Sequence, residues 1–233
     1  MVKKVTNLGS LWFSAHKRSY GNALLAALLF TAGFAAGQTS TLPSHPTSTP
    51  YAGDLKIFED PGRDKRLQID RVMDLLQIKP GSTVADIGAG GGWFSVRAAR
   101  RVTPSGRVIA EDINPKAITY IEQRAQREHL PNIVPLLGTP DDPKLAPNSL
   151  DAALMLKVYH EIAHPQPLLA VLRAALKPGA RFGIIDKNGS GADHGLDEKI
   201  LRAEVEHAGF VQVGRYDFTK ADGQDYFLIF EKR

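Results

Sequence analysis

Residues 84–94, reading Val-Ala-Asp-Ile-Gly-Ala-Gly-Gly-Gly-Trp-Phe, constrain the fold of this 233-residue chain more than any other stretch. A short β-rich run over 83–87 leads into the glycines, and a helical pattern over 93–101 leaves them. Glycine lets backbone approach a ligand closely, because no side chain intervenes. A strand, a glycine bend and a helix in that order open an α/β domain, in which ligands bind at the carboxyl ends of strands. The chain beyond agrees. Further strands are expected over 107–112, 133–137, 150–156 and 181–186. Helices are expected over 65–76, 115–129, 167–176 and 197–208, the last stopped by Gly209. Lys177-Pro178-Gly179 reads as a turn into the fifth strand. Such alternation implies a mostly parallel sheet with helices on both faces. Two last strands, 210–218 and 226–231, have a turn near Asp222-Gly223 and no helix between them. They are expected to form an antiparallel hairpin at one edge.

The glycine run argues against one common ligand site and excludes another. A dinucleotide fingerprint needs a third glycine for close helix packing. Gly88 and Gly90 fit it, but the third position is Trp93. No lysine follows the glycines, which excludes the P-loop. Asp86 precedes them, and a carboxylate there opposes a pyrophosphate but favours a cationic or amino-bearing ligand. Asp112 ends the second strand, where a carboxylate can hold ribose hydroxyls. The same residue could instead cap the helix that Pro115 opens.

At these residues the chain resembles the class I S-adenosylmethionine-dependent methyltransferases, especially the small-molecule branch that includes the ubiquinone and menaquinone C-methyltransferases. The resemblance covers roughly residues 55–233. It rests on Asp86-Ile87-Gly88-Ala89-Gly90-Gly91-Gly92, on residues 107–113 with Asp112 in the ribose place, on 148–155 and on 176–181. It implies a Rossmann-like three-layer sandwich, with a seven-stranded sheet ordered 3-2-1-4-5-7-6 and strand seven antiparallel. It implies S-adenosyl-L-methionine as cofactor, held by Asp86, Gly88, Ala89, Gly90, Asp112, Ile113, Thr139, Asp141 and Lys157. The family often has Gly-Asp-Ala after strand three. Here Gly138-Thr139-Pro140-Asp141-Asp142 stands instead, and Pro140 has no amide hydrogen for adenine. The contact is therefore reassigned to Thr139 or Asp141.

Methyl transfer from a sulfonium needs alignment and dryness, and a base only if the acceptor carries a tightly held proton. Candidates follow the fourth strand in Lys157-Val158-Tyr159-His160-Glu161. His160 is the expected base, since histidine titrates near neutrality; packing or capping the next helix is its other reading. Tyr159 would line the acceptor pocket or lie in the core. Asp186, His194 in a Gly/Ser-rich loop and Arg63 in a lid-like segment over 58–64 are further pocket candidates. No carboxylate/histidine group has clear ligand spacing, so no metal is expected. The chain has no cysteine.

Lys3, Lys4, Lys17 and Arg18 account for the whole net charge of +4. The remainder is balanced, which argues against nucleic acid as a partner. Residues 1–37 read as a signal peptide: a basic start, an apolar run over 23–36 and small residues before Gln38. That run falls short of the roughly 20 residues that span a bilayer. Export to the periplasm or medium is expected, with membrane attachment only if the leader stays uncleaved. Residues 38–54, rich in Ser, Thr and Pro, read as a flexible linker to a domain over 55–233. A small-molecule acceptor is expected. An exported S-adenosyl-nucleoside binding protein and an NAD(P)-dependent oxidoreductase are the alternative readings; the latter also lacks a Tyr-x-x-x-Lys pair after strand four.

Overall fold

The computed structural model describes residues 45–233; the expected signal peptide and the start of the linker lie outside them. Seven strands form one sheet: β1 Thr83–Ile87, β2 Arg107–Asp112, β3 Ile133–Leu137, β4 Leu150–Leu156, β5 Leu176–Asp186, β6 Phe210–Tyr216 and β7 Tyr226–Lys232. Their order is β3-β2-β1-β4-β5-β7-β6. The first five are parallel neighbours, and β7 runs antiparallel to both β5 and β6. This is the expected order, with the hairpin at the edge.

The two sides of the sheet separate by strand alternation. Val84, Ala110, Leu154 and Ile185 point into one core, with Val72, Phe94, Val96 and Ile121 from the helices α2 Ile69–Leu75, α3 Trp93–Val102 and α4 Pro115–Arg127. Ala85, Ile87, Met155, Phe182 and Ile184 point into the other. There they meet Leu169 and Leu172 of α5 Pro165–Ala175, and Leu201 and Val205 of α6 Glu198–His207. Each fully buried Leu, Ile or Phe contributes about 1.5–3 kcal/mol. Inner strands covered on both faces explain why β1 and β4 read as nearly unbroken apolar runs. Asp86 interrupts the first of them.

Helix ends follow their caps. Asn114 opens α4, its side chain accepting from Lys116 N at 3.0 Å, with Pro115 at the first turn. Asp112 is therefore not that cap. Asp197 caps α6 through Lys199 N at 2.7 Å, and Gly209 follows that helix at φ +88°.

Three elements differ from expectation. The single helix over 65–76 is two, α1 Arg63–Leu67 and α2, broken where Gln68 turns left-handed at φ 52°. Strand β5 starts at Leu176, so Lys177-Pro178-Gly179 lies inside its bounds. Leu150 pairs with Leu176 but Ala152 with Arg181, and the intervening residues bulge out of register. A 3-10 turn, Phe218–Asp222, stands between β6 and β7.

The tail of the expected linker is laid onto the domain. His45 and Ser48 are buried. His45 Nδ1 lies 2.8 Å from Glu204 of α6, and Ser48 N donates to the His160 carbonyl at 3.1 Å. Polar groups of Ser/Thr/Pro-rich sequence stay ordered here because the domain satisfies them.

Candidate cofactor and acceptor site

The glycine bend joins β1 to α3 at the centre of the sheet. Gly88, Gly90 and Gly92 have φ of 66°, 53° and 68°, in the left-handed region that favours glycine. Gly88 needs glycine for a second reason: a Cβ there would strike Val158, on the segment after β4. Phe58 of the 3-10 turn Leu55–Phe58 packs beside Gly90 and Gly91, so the chain before α1 covers the bend. Glu59 anchors this cover, accepting from Tyr120 at 2.5 Å and Arg127 at 2.7 Å.

The amides of the bend face acids rather than open space. Gly90 N donates to Asp112 Oδ2 at 2.8 Å, Gly88 N to Glu111 Oε2 at 3.4 Å, and Ala89 N to the Glu111 carbonyl at 2.8 Å. A phosphate site needs such amides free, and these three are taken. Three carboxyls converge instead. Asp86 is 2% exposed and accepts from Ser95 Oγ at 2.5 Å. Burial pushes its carboxyl up to about 7, against the Ser95 bonds and helped by the Asp112 charge. Burial likewise lifts Glu111 to about 8, opposed by its Gly88 bond and reinforced by Asp112 and Asp86. Asp112 is also raised by burial, its bonds from Asn114 and Gly90 pulling the other way. Three acids held so close resist ionising together and favour a cation in their midst.

Trp93, at the place of the third dinucleotide glycine, is buried, its indole Nε1 without a partner among the described residues. Arg63 and Arg97 stack on its ring at 4.8 and 4.3 Å. Arg63 Nε is bound to Asp222 at 2.9 Å, while its Nη2 is buried and unpartnered among the described residues. An unsatisfied guanidinium nitrogen is costly unless a ligand meets it. Arg63 also feels Asp86 and Lys157. Its side chain is thus largely covered, close to the charges of Asp86 and Lys157.

The other candidates divide. Ile113, just after β2, and Leu137, which pairs with Asp112 at the end of β3, both stay exposed. Thr139 and Asp142 bridge back to back, Thr139 N donating to the Asp142 carbonyl at 2.9 Å. Asp141, at the tip of that turn, is exposed and lies 3.4 Å from His164. Gly138 is a missed member: a Cβ there would strike the Glu111 carboxylate. Glu111 was missed as well, because an acid inside a β2 pattern reads as surface until the sheet closes over it. Lys157 is exposed at the end of β4, left-handed at φ 60°.

Tyr159 lies away from the cleft. It is fully buried, and its hydroxyl donates to Glu204 at 3.1 Å. The pocket-lining expectation is thereby corrected; the residue is core. His160 is buried too, but its Nδ1 lies 2.9 Å from both oxygens of Asp186 at the end of β5. Its Nε2 points to Glu161, at 3.9 Å from Oε1. Burial raises Glu161 to about 7, countered by His160. The His194 ring meets that of His160 edge-on at 5.8 Å. Sequence spacing showed no ligand group, yet the fold brings His160, Glu161 and His194 together, with one ligand atom from each within 4.8 Å of the others. Thirty-odd residues separate the two histidines, so no local pattern could reveal it.

Comparison with known proteins agrees with this geometry. Residues 84–179 match the family model described as "Methyltransferase domain". The chain is 33% identical over 109 residues to a 2-phytyl-1,4-naphtoquinone methyltransferase of Trichormus variabilis, covering 46% of this chain and 48% of that protein. It is 29% identical over 135 residues to an arsenite methyltransferase of Halobacterium salinarum, covering 58% and 34% respectively. The match thus spans less than half the length of these curated relatives. Among solved structures, a SAM-dependent methyltransferase from Aquifex aeolicus superposes with a TM-score of 0.69 at 23% identity, over 77% of this chain and 98% of that one. That likeness is one of fold. The chain thus has a Rossmann-like fold with a seven-stranded sheet ordered 3-2-1-4-5-7-6, similar to that of a solved methyltransferase, and its residues 84–179 match the methyltransferase-domain model.

Proposed function

We propose that this protein transfers the methyl group of S-adenosylmethionine to a small-molecule acceptor. One observation carries the reading: two buried carboxyls and the half-buried Asp112 gather at a bare backbone bend whose amides are already occupied. Such a cleft repels phosphate and suits a ligand with cationic and hydroxyl groups. Asp112 is assigned to the ribose, with Glu111 buried beneath it. Asp86, with Gly88, Ala89 and Gly90 around it, faces the amino-acid portion, whose carboxylate suits the unpartnered Arg63 nitrogen. The exposed Ile113 and Leu137 offer adenine apolar surface, with Thr139 and Asp141 nearby. Lys157 borders the cleft at the β4 end.

The cofactor supplies an activated methyl and a neutral leaving group. The protein's own share is to align and dry the site. His160, its Nδ1 fixed by Asp186, offers Nε2 to the acceptor side. Proton acceptance there applies only to acceptors that carry a proton of high pKa. The quinone-type relative supports a small acceptor. The leader, read from residues 1–37, supports export, with the domain acting outside the cytosol.

Calorimetry with S-adenosylmethionine and S-adenosylhomocysteine tests the site, and a labelled-methyl assay on cell-envelope extracts tests transfer. Asp112→Ala is expected to weaken cofactor binding by about 1–3 kcal/mol, through lost charge-assisted bonds. Unchanged affinity in a folded variant overturns the ribose assignment. Tight binding without label transfer favours the binding-protein reading.

A further inference from the structure

We infer that His160, Glu161 and His194 form a binding site for a divalent first-row transition metal, with zinc as the best fit, on the acceptor side of the cleft. The two imidazoles and one carboxylate place their ligand atoms within 4.8 Å of one another. Around tetrahedral zinc, neighbouring ligand atoms lie about 3.4 Å apart. Closing that gap asks for small movements, and His194 sits on a glycine-bounded loop able to make them.

The outer partners are those a metal-binding histidine needs. Asp186 receives His160 Nδ1 on both oxygens at 2.9 Å. This fixes the tautomer whose bare Nε2 faces Glu161. A carboxylate behind a histidine both orients the ring and makes it a stronger ligand. His194 is held in the left-handed region at φ 59°, and its N–H donates to Ser48 Oγ at 2.8 Å. Ser48 in turn donates to the Gly191 carbonyl at 2.7 Å. The loop thereby carries an imidazole to the cluster at some backbone expense.

Burial grades across the set: His160 is buried, Glu161 half-buried and His194 exposed. The open side is the pattern of a metal that keeps a coordination position for another ligand. Two nitrogens and one oxygen suit zinc or its transition-metal neighbours better than magnesium or calcium, which prefer oxygen alone. In the acceptor cleft, the open position would take an acceptor oxygen, hydroxyl or carboxylate, and His160 Nε2, once it binds the metal, gives up the base role. That last use rests on the methyltransfer reading; the metal site itself does not.

The test uses the full chain, free of any affinity tag and stripped with a chelator. Zn2+ is titrated calorimetrically into the wild type, His194→Ala, Glu161→Gln and Asp186→Asn, with Mg2+ as a control. Each protein is titrated in parallel with S-adenosylhomocysteine. The expected result is one tight zinc site per chain, with Mg2+ at least a hundredfold weaker. His194→Ala and Glu161→Gln should lose a hundredfold or more in zinc affinity. Asp186→Asn, acting through His160, should lose about ten- to a hundredfold. S-adenosylhomocysteine affinity should stay within twofold throughout, which also shows that the variants fold. A wild type without a tight zinc site, or one whose site survives in His194→Ala and Glu161→Gln, overturns the proposal. Zinc binding without S-adenosylhomocysteine binding would sink the cofactor reading and leave the metal site standing.

Discussion

The acids at the carboxyl ends of β1 and β2 are uneasy neighbours. Asp86 and Glu111 titrate near 7 and 8 in the fold because burial disfavours their charge. Their unfolded counterparts titrate near 4. A carboxyl raised in this way adds stability that is fully present below about pH 4 and is lost as pH rises through 7 and 8. The ligand-free protein is therefore expected to melt at a lower temperature at about pH 8.5 than at about pH 5. Glu111→Gln keeps the shape without the ionisation and should flatten that fall. Scanning calorimetry across pH checks this, and identical slopes in wild type and variant would refute it. Added S-adenosylmethionine should restore part of the loss at high pH, since its cation favours the ionised acids. Asp86 and Asp112 were legible in the sequence by their places at strand ends. Glu111 was not, because its burial depends on Gly88 and Gly138 closing over it.

At the scale of elements, the glycine bend works only with the segment after β4 pressed against it. Gly88 combines a φ of 66° with a Cβ position that Val158 already fills. Gly88→Ala should cost about 1–2 kcal/mol for the left-handed conformation, plus about 1–3 kcal/mol for overpacking. Val158→Ala added to it should return the overpacking part and leave the conformational part. Urea unfolding of the two variants measures both; full recovery in the double variant would contradict the backbone argument. Strand and helix order followed from apolar periodicity and from glycine and proline punctuation. The break at Gln68 and the bulge inside β5 did not, since neither carries a local signal. Gln68 turns left-handed where its side chain reaches the Phe218 carbonyl at 3.3 Å. That partner lies 150 residues away.

Over the whole molecule, the segment from His45 onward joins the far edges of the site. His45 and Tyr159 share Glu204, through 2.8 and 3.1 Å bonds to its two carboxylate oxygens. Ser48 links the His160 carbonyl to the His194 loop. Replacing both His45 and Ser48 with alanine should destabilise the domain by about 1–3 kcal/mol, by leaving Glu204 and the loop amide short of partners. Limited proteolysis should then cut the 188–195 loop faster than in the wild type. A variant as stable and as resistant as the parent would mean that the segment merely rests on the surface. Composition announced a linker here, because Ser, Thr and Pro bury little apolar area by themselves. The domain supplies the hydrogen bonds that this stretch cannot make alone.

What the sequence determined by itself is the local and periodic part. The glycine bend, the strand–helix alternation and the acids at strand ends point to a Rossmann-like α/β fold with a ligand site at the bend, because each is written in neighbouring residues. The tertiary structure alone decided which side chains meet. Tyr159 and His160 are adjacent in the chain, yet one bonds Glu204 of α6 and the other Asp186 at the end of β5. His194 reaches His160 only because β4 and β5 lie side by side and Ser48 holds the loop between β5 and α6. Contacts between distant residues depend on how the sheet closes, and no local pattern encodes that.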